Sequence, residues 1–379
     1  MQSFISEFKQ LSLTSLLTLA SVLTLSSAQA LAETPVRPFG DVQILSSVPF
    51  PPGFPEGIAV NGDKIYVAGP ASFDTAGTPA SKVFAYDLKT GELLQTYEIQ
   101  GELTQFTRAN SCIAFDAEGR LYVVNLQLGV VRIDTGSGAQ EIYAGPLPNL
   151  LPCSQTQSSP CSPTVADGPP LPNDIAFDNE GNLYLTDSLQ ATIWRIPPGG
   201  GQPQVWFQDS RLDTPFGANG LRIGPDNATI YFAVTAEAVG PFGNFLGGKI
   251  YTLPLVDSPQ ASDLQTFHQY NGEAPDGIAF GKSGKLYVAL AAPFNSGVSI
   301  LAPDSTEVAR LSNPVGSPIF PYDSPANIAF GRQGSILLTN HAFATMIPSN
   351  FTVLDVFVND KEFPLERPSI PQGSHSNGY

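Results

Sequence analysis

Short apolar runs, each preceded by a polar or small residue, recur six times along the chain. The six copies are Glu56-Gly-Ile-Ala-Val, Ser111-Cys-Ile-Ala-Phe, Asn173-Asp-Ile-Ala-Phe, Asn219-Gly-Leu-Arg-Ile, Asp276-Gly-Ile-Ala-Phe and Ala326-Asn-Ile-Ala-Phe. In most copies a glycine-containing turn and a second apolar run follow, as in Asp116-Ala-Glu-Gly and then Leu121-Tyr-Val-Val. Apolar runs of this length around a glycine turn are typical of a β-hairpin.

Two further strand candidates follow the hairpin in each copy, such as Ile193-Trp-Arg-Ile and Val205-Trp-Phe in the third. Four short antiparallel strands repeated six times predict an all-β protein, a six-bladed β-propeller. A β-sandwich would not require six similar hairpins. The sixth copy lacks a fourth strand, whereas an extra strand candidate, 42–48, precedes the first copy. We therefore expect this N-terminal strand to close the last blade.

Composition is that of a globular protein with a substantial core, because 42% of the residues are hydrophobic and only 14% are charged. The 18 Lys and Arg residues against 34 Asp and Glu residues give a net charge of −16. Nothing resembles the basic patch that phosphate backbones require, so a nucleic-acid partner is not expected.

The N-terminus has the features of an export signal. A polar start is followed by an apolar run of residues 11–25, and Ala30-Leu-Ala provides a site of the small-x-small type for cleavage. The run is too short for a membrane anchor, which needs about 20 apolar residues. The expected organisation is a signal peptide over 1–32, a propeller over 33–360 and a C-terminal tail over 361–379. We expect an exported monomer without a membrane span.

Export allows disulfides to persist. Cys153 and Cys161 lie in one loop rich in Ser, Pro and Gln, and we expect them to pair. Cys112 lies in an apolar strand without a histidine nearby in the sequence, which favours a buried, unreactive thiol.

The residue at the start of each repeat carries the candidate chemistry. In a propeller the first strand of each blade lines the central channel, so this residue lies at one mouth of the channel. Four of the six positions hold oxygen ligands, namely Glu56, Asn173, Asn219 and Asp276. Two carboxylates and two amides suit Ca²⁺, and the near absence of His and Cys from the ring disfavours zinc and copper. The alternative is that these polar groups only hydrogen-bond water in the channel.

Three segments resemble one family. They are Pro172-Asn173-Asp174-Ile-Ala-Phe, Ala218-Asn219-Gly220-Leu and Pro275-Asp276-Gly277-Ile-Ala-Phe. They are similar to the senescence marker protein/gluconolactonase (regucalcin-like) family, which is related to diisopropyl fluorophosphatases and paraoxonases. The resemblance implies one catalytic Ca²⁺ in the channel, held by Glu56, Asn173, Asn219 and Asp276.

The resemblance also bears on two further residues. Asp174 is similar to an acid of that family that orients a ligand or activates water, although a plain hydrogen-bonding role at the start of a hairpin is equally compatible with its position. His341 ends a strand near the mouth, and a related branch uses histidines there as bases. A loop histidine that is merely solvated is the alternative.

These features together predict a Ca²⁺-dependent hydrolase of a small lactone or related ester. The metal would polarise the carbonyl, and Asp276 or a nearby acid would help to activate water. A propeller that binds a ligand or partner without catalysis is the alternative, and a lyase on the same fold is a third hypothesis. Loops expected at the mouth carry an apolar set that suits a substrate pocket, namely Phe73, Phe242, Phe245, Phe294, Phe343 and Met346.

Overall fold

The computed structural model describes residues 37–240, 245–292 and 295–371. The expected signal peptide and the residues Phe242 and Phe294 lie outside this part of the chain, as does the side chain of Phe245. Within the described residues no helix has the length and apolar character needed to cross a membrane.

The described chain forms six four-stranded antiparallel sheets, which confirms the predicted propeller. Blade 1 comprises β2–β5 (Ile58–Asn61, Lys64–Gly69, Lys82–Asp87, Leu93–Glu98), blade 2 β6–β9 (Asn110–Phe115, Leu121–Asn125, Gly129–Ile133, Gln140–Ala144) and blade 3 β10–β13 (Pro172–Phe177, Leu183–Asp187, Thr192–Ile196, Gln204–Gln208). Blade 4 comprises β14, β15, β18 and β19 (Phe216–Ile223, Thr229–Ala236, Lys249–Pro254, Gln265–Gln269), and blade 5 β20–β23 (Pro275–Phe280, Leu286–Leu290, Gly297–Leu301, Glu307–Ser312).

Blade 6 combines both ends of the described chain. It contains β24–β26 (Pro325–Phe330, Ser335–Asn340, Thr352–Phe357), and β1 (Val42–Ser47) pairs antiparallel with β26 as the outermost strand. A two-stranded ribbon, β16 and β17 (Ala238–Val239, Phe245–Leu246), lies between β15 and β18. Short 3-10 helices occur at Ser210–Leu212, Ala261–Asp263 and Pro348–Asn350.

Apolar side chains from adjacent blades form the core. In one cluster, Tyr122 and Val124 of blade 2 pack with Ile175, Leu183 and Trp194 of blade 3. Six such clusters occur within the described residues, and each joins neighbouring sheets. Because every blade buries both of its faces in this way, the six innermost strands are held around one channel.

The innermost strands share an irregularity at the position that the repeat singled out. In β10, pairing with β11 skips from Pro172 to Ile175, and the same skip occurs at the start of β6, β20 and β24 and in the middle of β14. We call the residue at the start of each repeat the ring residue. Glycine often follows the ring residue because the next blade lies very close. A Cβ on Gly57 would lie 2.4 Å from the Ser111 carbonyl oxygen, and Gly57 donates its N–H to that oxygen at 2.7 Å.

Cys153 and Cys161 form the expected disulfide, and Cys112 is a buried free thiol. The disulfide closes a small ring in the long loop between β9 and β10. We expect the Cys153→Ser/Cys161→Ser double variant to lose about 2–3 kcal/mol of unfolding free energy, since the unfolded chain regains the entropy of that loop. Urea unfolding of both proteins measures the difference. An unchanged midpoint in the double variant would show that the loop contributes nothing to global stability.

The chain after blade 6 is ordered across the end of the propeller opposite the ring residues. Phe363 donates its N–H to the carbonyl of Phe280 in blade 5 at 3.0 Å, and Arg367 donates to the side-chain oxygen of Asn61 in blade 1 at 2.8 Å. Ile370 is buried in the cluster between blades 2 and 3. Residues 361–370 therefore form a strap along four blades.

Candidate metal centre

The structure places Glu56, Asn173, Asn219 and Asp276 at the same end of the channel. Glu56 lies two residues before β2, Asn173 and Asp276 are the second residues of β10 and β20, and Asn219 is the fourth residue of β14. All four are buried, with between 2% and 8% of their surface exposed. Glu56 is held through its backbone, because its N–H donates to Ala68 at 2.9 Å and its carbonyl accepts from the Thr339 hydroxyl at 2.6 Å.

Two hydroxyl groups orient the two amides. The Asn173 amide nitrogen donates to Ser188 Oγ at 3.2 Å, and that hydroxyl donates to the Ala218 carbonyl at 2.7 Å. The Asn219 amide nitrogen donates to Thr235 Oγ1 at 2.8 Å. Since each nitrogen is held by a hydroxyl, the opposite end of each amide, the carbonyl oxygen, is available as a metal ligand.

The two carboxylates of the ring are buried, and one of their oxygens has no hydrogen-bond partner in the described part of the chain. Asp276 Oδ1 is buried and has no hydrogen-bond partner within the described residues. Burial raises the pKa of Glu56 well above its usual value, and the charges of Asp276 and Asp174 raise it further. The pKa of Asp276 is also raised well above its usual value, by burial and then by the charge of Asp174, although a hydrogen bond from the Asn219 side chain lowers it. A bound divalent cation would compensate both carboxylates, so the donor set fits a hard cation such as Ca²⁺.

No group of three or more His, Cys, Asp or Glu side chains in the described chain could hold a metal ion. The ring of candidate ligands contains only two such residues, Glu56 and Asp276, and its other two members are amides. Amide donors are ordinary ligands of Ca²⁺ and poor ligands of zinc.

Asp174 follows Asn173 and is fully buried. Its carboxylate accepts from Arg222 at 2.9 Å and 3.0 Å and from the N–H groups of Leu221 and Ile175 at 2.9 Å and 2.7 Å. These contacts use both oxygens and join blade 3 to blade 4. The geometry therefore favours a role in positioning the adjacent strands rather than in accepting a proton from water.

Arg222 is a residue that the sequence analysis missed. In five of the six repeats this position is alanine, whereas the fourth repeat has an arginine that is only 7% exposed. A buried arginine in an innermost strand requires a partner, so the break in the repeat was the available signal. Asn327 extends this layer, because it lies 3.4 Å from Arg222 and its amide nitrogen approaches the Cys112 sulfur at 3.6 Å.

His341 lies beside the candidate ligands. Its Nε2 is 2.7 Å from the Ala71 carbonyl and 3.8 Å from Glu56 Oε2. A carbonyl can only accept, so Nε2 carries the proton and donates it. Burial lowers the pKa of His341 to about 4, which keeps the ring neutral at physiological pH.

Aromatic rings continue from His341 toward the outside of the mouth. Phe343 stacks on His341 with ring centroids 5.7 Å apart, and Phe73 contacts Phe343 edge to face at 6.3 Å. Phe54 contacts the histidine ring edge to face, with ring centroids 5.9 Å apart. Phe73 and Phe343 belong to the apolar set that the sequence predicted for the mouth loops.

A cavity of about 60 Å³ lies at the opposite end of the channel. The ends of the innermost strands line it, and residues 362–367 of the strap cover it. Arg222 lines this cavity and also contacts Asp174, so the buried ion pair separates the cavity from the ring of candidate ligands. A substrate of the ring would therefore enter from the mouth that carries Phe73 and Phe343.

Solved structures share this fold at low sequence identity. Regucalcin from Agrobacterium tumefaciens, described as a calcium-binding protein, aligns with a TM-score of 0.60 and 15% identity over 88% of this chain and 98% of its own. A gluconolactonase from Xanthomonas campestris aligns at 0.52 and 17% over 84% and 89%. The PQQ-bound aldose sugar dehydrogenase from Streptomyces coelicolor aligns at 0.55 and 14% over 85% and 99%.

No family model matches the sequence. No curated protein matches it either. The structural similarities include the regucalcin and gluconolactonase proteins that the sequence motifs resemble. At this level of identity they establish the fold, and the dehydrogenase among them shows that the same fold holds different chemistry.

Proposed function

We propose that this protein is an exported, Ca²⁺-dependent hydrolase that opens a lactone or cleaves a related ester at the end of its channel. The observation that carries the proposal is the buried, unpartnered Oδ1 of Asp276 in a ring completed by Glu56, Asn173 and Asn219. A purely structural ring would satisfy this oxygen with a donor.

Glu56, Asn173, Asn219 and Asp276 would hold the cation, which supplies Lewis-acid polarisation of the substrate carbonyl when bound. The carboxylate of Asp276 would also orient the attacking water and take its proton. The Asp174 carboxylate, fixed by Arg222, sets the positions of Asn173 and Asn219. Neutral His341 donates to Ala71 and supports the loop beside Glu56.

The mouth aromatics bear on the substrate. Phe73 and Phe343 form an edge-to-face pair, and Phe73 is 54% exposed at the entrance. An apolar wall beside a polar metal ring favours a small molecule that carries an uncharged, apolar group next to its ester bond.

A hydrolysis screen tests the proposal. Purified protein is assayed against lactones, aryl esters and phosphotriesters after removal of metal with a chelator and again after addition of Ca²⁺. We expect hydrolysis of at least one lactone or ester that the chelator abolishes and Ca²⁺ restores. Tight Ca²⁺ binding without turnover of any class would instead favour the non-catalytic binding propeller.

The variant His341→Gln tests the role of the histidine, because glutamine can also donate to the Ala71 carbonyl. We expect its pH–activity profile to match that of the wild type between pH 6 and 8. The unfolded chain binds a proton at His341 below about pH 6.5, whereas the folded protein does so only near a pKa of about 4. Wild-type stability is therefore lost as the pH falls through this window.

The His341→Gln variant does not lose stability in this way, because glutamine does not take up a proton. Between pH 6.5 and 4 its unfolding free energy should fall by about 1–3 kcal/mol less than that of the wild type. Denaturant unfolding at several pH values measures this difference. An acidic limb of the activity profile that disappears in His341→Gln, with Ca²⁺ affinity intact, would instead make the histidine the general base.

A further inference from the structure

Five consecutive loops around one side of the mouth form an apolar rim, which we call the mouth arc. It consists of residues 48–57, 70–81, 100–109, 313–324 and 341–351, which connect strands of blades 5, 6, 1 and 2 in ring order. Every loop exposes at least one large apolar side chain. Seven of them are between 54% and 108% exposed, namely Phe50, Phe73, Leu103, Phe106, Val315, Phe320 and Met346.

The mouth arc carries almost no exposed charge. Its acidic and basic residues are Glu56, Asp74, Glu102, Arg108 and Asp323, and only Asp74 is exposed. Glu102 and Arg108 have fully buried side chains that face each other at 3.7 Å, and Asp323 is 2% exposed. The chain as a whole has a net charge of −16, so its acidic surface lies elsewhere.

Buried polar contacts hold the loops of the arc in place. Arg108 donates to the Thr75 carbonyl at 2.9 Å, which joins two of the loops. His341 donates to Ala71, and the Asn350 amide donates to Asp323 at 2.7 Å. The loops are therefore fixed to one another through their polar groups, and the apolar side chains remain outside instead of folding into a core.

We propose that the mouth arc docks this protein on an uncharged lipid surface, with its phenylalanine and methionine side chains inserted between zwitterionic headgroups. Binding of a protein to a lipid interface grows with the apolar area that is buried, and a strongly acidic protein is repelled by anionic lipids. An apolar rim with one exposed charge on a protein of net charge −16 matches a neutral surface. Single large side chains that project from five loops suit insertion into a fluid interface.

A lipid surface is favoured over a protein partner because the arc borders the mouth of the channel. A lipid surface can supply apolar molecules to this mouth, whereas a protein of matching shape would only cover it. The docking itself is independent of the proposed hydrolase activity. It can be measured without turnover, and the Asp276→Asn variant should dock as the wild type does.

Flotation of the purified protein with vesicles tests the proposal. Phosphatidylcholine vesicles and vesicles with one third phosphatidylserine are compared at low and high salt. We expect flotation with phosphatidylcholine that high salt does not reverse, and weaker flotation with the anionic vesicles at low salt.

The arc variant Phe73→Ser/Phe106→Ser/Phe320→Ser should lower the partition coefficient at least tenfold. The matched control Phe39→Ser/Leu94→Ser/Leu365→Ser changes three exposed apolar residues away from the arc and should bind as the wild type does. A second arc variant, Val315→Lys/Met346→Lys, alters the two most exposed residues of the arc. It tests the arc independently in case the triple variant does not fold. It should lower the partition coefficient by a similar factor.

Several results would overturn the proposal. Wild-type protein that stays at the bottom of the gradient would do so, and so would equal losses in the arc and control variants. A wild-type dimer that the arc substitutions convert to a monomer, measured by sedimentation, would assign the arc to self-association instead.

Discussion

Asp276→Asn is expected to weaken Ca²⁺ binding by at least about a hundredfold. Loss of a residue that only hydrogen-bonds to a metal ligand already weakens metal binding by about 10–100-fold, and Asp276 is a proposed ligand itself. Hydrolysis of every accepted substrate should fall toward background. The substitution keeps the shape of the side chain but removes one of the two charges that would compensate the cation. It also replaces the unpartnered oxygen with a weaker ligand. Calorimetric titration of metal-stripped protein and initial rates measure the two effects.

Ser111→Ala is the matched control, because Ser111 occupies the equivalent place in blade 2. Its hydroxyl donates to the Pro172 carbonyl at 3.1 Å, so the alanine variant tests packing of the ring without removing a proposed ligand. We expect it to keep its Ca²⁺ affinity to within about threefold. Identical isotherms for Asp276→Asn and the wild type would remove Asp276 from the ligand set and, with it, the proposed mechanism.

Asp174→Ala is expected to destabilise the protein by about 3–5 kcal/mol, because it leaves Arg222 buried without its carboxylate. Arg222 is 7% exposed and Asp174 is fully buried, so the guanidinium would lose its carboxylate at a site largely shielded from solvent. The Leu221 N–H also loses its acceptor. Denaturant unfolding in the presence of chelator measures the change without a contribution from bound metal.

Two further variants give this prediction its controls. Asp257→Ala removes the partner of Arg195 in an ion pair whose aspartate is 98% exposed, and it should cost less than about 1 kcal/mol. The double variant Asp174→Leu/Arg222→Met removes both charges and should recover much of the stability lost in Asp174→Ala. Equal costs for Asp174→Ala and Asp257→Ala would show that the buried pair contributes no more than a surface pair.

The repeat in the sequence was sufficient to predict the propeller, because each hairpin is encoded locally. An apolar run, a glycine turn and a second apolar run specify two paired strands within about 15 residues, and the register follows from the turn. The same local logic identified Cys153 and Cys161, which are eight residues apart. It also indicated which residue of each repeat lies at the mouth, since that position directly precedes the apolar run.

Contacts between blades could not be predicted in this way. Asp174 and Arg222 are 48 residues apart, and the Thr339 hydroxyl that holds Glu56 is 283 residues away. The sequence left open whether Asp174 is free to act as a base. Its three donors, Ile175, Leu221 and Arg222, come from its own neighbour and from the next blade, and only their arrangement in space shows that both oxygens are occupied.

By itself the sequence determined the six-bladed fold, the loop disulfide and the oxygen-rich composition of the ring, because these depend on residues that are close along the chain. The tertiary structure alone decided which polar groups have partners. It orients the amides of Asn173 and Asn219 through hydroxyls, leaves Asp276 Oδ1 unpaired and closes the far end of the channel with residues 361–370. The physical reason is that burial and hydrogen-bond satisfaction are properties of where distant segments meet, and a local pattern carries no record of them.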